Sequence, residues 1–139
     1  MLGALATLVV LAGLCAGCGG STSYANADRP PAPISISIAV SNQRVAVSPD
    51  RIGAGPVQLL IANESGRSQD VTLTAGRGGR SCVTEGASSG PINPQGAARI
   101  SLALRQGTCT ISVADGAIAP AKLIVGARRA SAQQDLLQP

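Results

Sequence analysis

The chain has 139 residues, no Trp, no Phe and a single Tyr, so its core has to be built from Val, Ile, Leu and Ala. Aromatic side chains bring the largest buried area per residue, and a small aliphatic core therefore leans on another stabiliser, for which a disulfide is the obvious candidate. The net charge of +4 is spread along eleven Lys and Arg from Arg29 to Arg129, which, with no aromatic in the patterned region to stack on a base and the single Tyr24 in a polar stretch outside it, argues against nucleic-acid binding; the absence of His removes most zinc and copper chemistry.

The chain opens with an apolar run, LGALATLVVLAGL from Leu2 to Leu14. It is too short for a transmembrane helix, which needs about twenty residues, and has the length of a signal-peptide core. Leu14, the small residues Ala16 and Gly17, and Cys18 after them resemble a bacterial lipobox. That resemblance implies a diacylglyceryl group on the Cys18 thiol and removal of residues 1–17 as a lipoprotein signal peptide. Cys15 stands where the family prefers Leu, and no Lys or Arg precedes the run, which is compatible with a start upstream of Met1. Residues 18–33 then comprise the lipidated Cys and a flexible tether, GGSTSYANADRPPAP, rich in Gly, Ser and Pro and without apolar periodicity.

A foldable pattern occupies residues 34–126. Ile34, Ile36, Ile38 and Val40 alternate with Ser35, Ser37 and Ala39, the signature of a half-buried strand. Residues 44–48 repeat it, with Val45 and Val47 inward. Residues 50–56, with two Gly and a Pro, read as a turn or loop. VQLLIA over 57–62 reads as a central strand, and 70–75 as another, with Val71 and Leu73 inward. Residues 76–95 read as a long irregular stretch. Strands are expected at 99–105, with Ile100, Leu102 and Leu104 on one face, and at 108–114, with Cys109, Ile111 and Val113 inward; Gln106-Gly107 reads as a tight hairpin between them. Residues 121–125 close the set, and residues 127–139 read as a polar tail. About seven short strands with regular turn signals argue for an antiparallel Greek-key β-sandwich.

The segments VSPDRIGAGPVQLLIANESGRSQDVTLT, INPQGAARISLALRQGTCTISVADG and AKLIVG, over Val45 to Gly126, resemble the cupredoxin-like domains of secreted bacterial proteins. In copper-binding members the resemblance puts the first ligand His near Gln69, the ligand Cys near Ser112 and the last His in the loop 115–120. This chain carries none of those ligands, and its one Met is Met1. The resemblance therefore implies the fold without the copper.

Cys82 and Cys109 are the cysteines left to the domain. Read structurally they form a disulfide, consistent with an oxidising compartment; read functionally they are a thiol switch, for which only Arg80 nearby speaks. Asn63-Glu64-Ser65 matches a glycosylation sequon on an expected turn, and Lys122 has no serine motif around it. The expectation is a non-enzymatic lipoprotein of the cell envelope, extracytoplasmic and held at the membrane through its N-terminal lipid. Its domain would need no cofactor or metal and would act as an interaction or structural module with an envelope protein as partner. The alternative is a ligand-binding or accessory component of an envelope uptake or redox system, with a polar pocket around 76–95.

Overall fold

The computed structural model describes residues 29–131; the expectations for the leader, for Cys15 and Cys18 and for residues 132–139 lie outside them. Eight strands and no helix occur among the described residues: β1 Ile34–Val40, β2 Val45–Ser48, β3 Arg51–Asn63, β4 Gln69–Ala75, β5 Ala87–Ile92, β6 Ala97–Leu104, β7 Gly107–Val113 and β8 Ala121–Arg128. They form two sheets that share β3. One has the order β2-β1-β3-β6, with β1 parallel to β3. The other has the order β3-β8-β7-β4-β5, with β3 parallel to β8 and the rest antiparallel.

The core is aliphatic, as the composition requires. Alternation along β1 and β3 turns Ile36, Ile38, Leu59 and Ile61 inward, and Leu73, Ile111 and Leu123 close the core from the second sheet. Each such side chain contributes about 1.5–3 kcal/mol when removed from water. Ile100 and Leu102 point the same way as Leu104 yet stay half-buried, because β6 is an edge strand bonded to β3 alone.

Three local readings of the sequence are corrected. Residues 51–54 are extended and pair with β8, and β3 bends at Gly55, whose φ is 140°, so that the rest of it joins β1 and β6. Gly and Pro there mark a corner between sheets, where a Cβ on Gly55 would lie 2.9 Å from Pro31 Cγ. An eighth strand, β5, lies inside the stretch expected to be irregular and pairs with β4. Its sequence, ASSGPI, hides it, since as an edge strand it buries only Ile92.

Gln106-Gly107 is a crossing between sheets and not the expected tight hairpin. β6 and β7 do not pair: β6 belongs to β3's sheet and β7 lies between β4 and β8. The chain changes sheets at Gly107, and the backbone of 80–82 occupies the place a hairpin partner would take. The Arg105 amide donates to the Cys82 carbonyl and the Thr108 amide to the Arg80 carbonyl, each at 2.8 Å. Gly107 has φ 157°, and a Cβ on it would fall 2.2 Å from the Arg80 carbonyl oxygen.

Packing also extends past the expected limits of the domain. Pro31 is buried, so the last residues of the expected tether are docked on the sandwich, and β8 runs two residues beyond Gly126. Arg129 joins the two ends. Its amide donates to the Ala54 carbonyl, and its guanidinium donates to the carbonyls of Ala32 (2.9 Å) and Pro56, with Nε buried and unpartnered.

Candidate functional site

The short connections from β3 to β4 and from β5 to β6, together with the last residues of β7, bring Asn63, Gln69, Ile92 and Val113 to one end of the sandwich. This is the end at which the sequence resemblance puts copper ligands. Alternation along β4 and β7 decides which side chains face inward. Gln69 is buried at 5% exposure, two residues before Val71, which pairs with Val113. Ser112 faces the other way, paired with Thr72 in the register, and the two hydroxyl oxygens lie 3.2 Å apart. The inward neighbour is Val113, which has no donor atom. From the loop 114–120 the buried side chain is that of Ile118, while the Asp115 carboxylate accepts the Ala117 amide at 3.0 Å.

Asn63 closes this end. It is 1% exposed, as is Ser65. The Asn63 carboxamide donates to the carbonyls of Arg67 and Ile92, both at 2.8 Å, and its oxygen accepts the Ser65 amide at 3.0 Å. The Ser65 hydroxyl lies 2.6 Å from that oxygen and 3.0 Å from the Arg67 carbonyl. The backbone completes the closure, with the Asn63 amide donating to the Gly96 carbonyl and the Gln95 amide to the Asn63 carbonyl. A carboxamide with two donors and an acceptor can satisfy a buried turn and an adjacent strand end at once, and here both donors and the acceptor are used. The sequence presented Asn63 and Ser65 only as a sequon; the signal for their role is an Asn two residues before a Ser at a strand end, an Asx-turn pattern.

Copper in such a fold needs imidazole, thiolate or thioether donors. The residues present do not fit it: the chain has no His, and Cys82 and Cys109 are joined to each other. Among the described residues no group of three or more His, Cys, Asp or Glu could hold a metal ion.

The disulfide sits at the opposite end. Cys82 and Cys109 are both 0% exposed, 27 residues apart in the chain and 5.4 Å apart between Cα atoms. The bond fastens the loop after β4 onto β7, beside the two backbone bonds of residues 80–82. A thiol switch would need access that these sulfurs lack. Three surface depressions of about 560, 520 and 440 Å³ are found on the described residues. Gly76 and Arg77, from the stretch where a pocket is expected, line the second together with Thr108, Thr110 and Lys122.

No protein-family model matches the sequence, and no curated protein sequence does. Among solved structures the chain is similar to auracyanin A, a "blue" copper protein from the green thermophilic photosynthetic bacterium Chloroflexus aurantiacus. That match has a TM-score of 0.50 and 16% identity over 68% of this chain and 100% of auracyanin A. Dithionite-reduced auracyanin from Roseiflexus castenholzii matches with a TM-score of 0.48 and 12% identity, over 70% of this chain and 99% of that one. A multicopper oxidase matches with a TM-score of 0.48 and 11% identity over 70% of this chain, which spans 46% of the oxidase. At such identities the likeness speaks to fold alone. Over its described residues the chain is an all-β sandwich of eight strands with the cupredoxin-like fold and a Cys82–Cys109 disulfide.

Proposed function

We propose that this chain is a lipoprotein of the cell envelope, anchored outside the cytoplasm through Cys18, whose cupredoxin-like domain is a non-catalytic interaction or structural module working without copper. The observation that carries this reading is the closed end of the sandwich. Where copper-binding sandwiches place donors, this one buries Gln69, Val113 and Ile118, and at the same end buried Asn63 and Ser65 spend their polar atoms on each other and on the Arg67 and Ile92 carbonyls. Support for the compartment comes from the disulfide, since buried structural disulfides persist in oxidising surroundings. Support for the anchor comes from the Leu14 to Cys18 pattern. With the domain's interior given over to packing, binding falls to its faces and edges, the surfaces that sandwiches use for protein partners.

The test is crosslinking in intact bacterial cells grown with copper, followed by identification of partners and metal analysis of the purified protein. The expected result is a crosslinked envelope protein and copper far below one equivalent. Stoichiometric copper would overturn the metal-free reading. Crosslinks confined to cytoplasmic proteins would overturn the compartment.

A further inference from the structure

Charge is distributed unevenly between the two ends of the sandwich. At the Asn63 end, Arg44 and Arg67 are offset by Glu64, Asp70 and Asp115. The other end is formed by the Gly55 corner, the link from β6 to β7 and the last residues of β8. It carries exposed Arg29, Arg80, Arg105 and Arg128, against the carboxylates of Glu85, three residues after Cys82, and of exposed Asp50, whose carbonyl accepts the Ile124 amide beside Thr108. Arg105 and Arg128 border a depression of about 440 Å³ floored by Pro30, Pro31, Pro56 and Leu104. The chain leaves the described structure at this same end: Pro31 packs on Gly55, and Arg129 bonds the Ala32 carbonyl. Ten of the eleven cationic residues in the chain are Arg, whose planar fork suits phosphate oxygens.

We propose that this arginine-rimmed end docks on an anionic lipid bilayer, so that the domain stands on the membrane with its Asn63 end outward. The proposal rests on the lipid-anchor reading. Ten residues lie between Cys18 and Arg29, eleven chain steps with a reach of at most about 40 Å, and the chain joins the domain at the cationic end. Cations within a Debye length of an anionic leaflet are attracted to it, and each Arg there is worth about fivefold in the docked population. The shallow apolar floor lets the proline and leucine surface settle against the headgroup layer while the guanidinium groups meet phosphates.

The experiment uses the full chain extracted from bacterial membranes and reconstituted on vesicles of phosphatidylcholine alone or of phosphatidylcholine with phosphatidylglycerol. Amide hydrogen exchange is read at 105–107 and 128–131. Docking slows exchange at these segments on the phosphatidylglycerol vesicles. The slowing fades at high salt and falls by about 25-fold in the R105Q/R128Q double variant. Unchanged exchange at Leu59 and Ile61 reports that this variant is folded. Equal exchange on both vesicle types, or protection confined to 63–69, overturns the orientation while leaving the anchor in place. A chain that associates with neither vesicle and carries no lipid overturns the anchor and the orientation together.

Discussion

Asn63→Ala tests the closed end most sharply. The substitution removes the carboxamide that reaches the Ile92 and Arg67 carbonyls and receives the Ser65 amide. The Arg67 carbonyl keeps the Ser65 hydroxyl as a partner at 3.0 Å, so the groups stranded are the Ser65 amide and one lone pair of the Ile92 carbonyl. Each buried polar group left without a partner costs about 1–3 kcal/mol, and the pair together costs about 3 kcal/mol once some water reaches this end. A domain of this size has about 5–15 kcal/mol of stability, so the loss is a large share, and Tm falls by about 12–24 °C. Ser65→Ala, which removes one O–H donor, costs about 1 kcal/mol, or about 4–8 °C. Unfolding is followed by far-UV circular dichroism, because the chain offers no Trp or Phe signal. Asn63→Ala no more destabilising than Ser65→Ala would refute the claim that the carboxamide organises this end.

Replacing Cys82 and Cys109 together with Ala opens a 27-residue link and lowers stability by about 3.5 kcal/mol in the chain-entropy model, read from urea midpoints; a change under about 1 kcal/mol would show that the bond contributes little. Gly107→Ala forces the Arg80 and Ser81 backbone away from its bond to Thr108 and should cost more than about 2 kcal/mol, seen as a lower melting temperature with early exchange of the Thr108 amide. Arg129→Ala severs both carbonyl contacts and exposes residues 29–33 to limited proteolysis. Arg129→Lys leaves them just as exposed, since one ammonium does not reproduce the fork; protection restored by Lys would contradict that geometry.

The parts of the fold visible in the sequence are those where burial on one face alone dictates the residue. Ile34 to Val40 and Arg99 to Leu104 alternate because one side meets the core and the other meets water. What the sequence hides depends on contacts between distant segments. The Gly and Pro of 53–56 look like a loop because the same residues serve a corner where Pro31 presses on Gly55. Gln106-Gly107 looks like a hairpin because local turn chemistry cannot reveal that Arg80 and Cys82, more than twenty residues earlier, will accept the Arg105 and Thr108 amides. Of the closed end, the missing copper donors were legible as absent residue types. The Asn63 network was not, since its partner at Ile92 is 29 residues away. Arg129 sits in what reads as a polar tail, and nothing local announces that it holds Ala32 and Pro56.

The central claim, a lipid-anchored cupredoxin-like domain that works without copper, is tested most directly by mass spectrometry of the intact, natively folded protein taken from the membrane fraction of bacteria expressing the full chain. The account predicts a chain that begins at Cys18 and carries acyl glyceride mass on that residue. It further predicts that reduction adds the two hydrogens of the Cys82–Cys109 bond and that no copper is retained. A chain with residues 1–17 intact and no lipid, or one holding a stoichiometric copper ion, would contradict it.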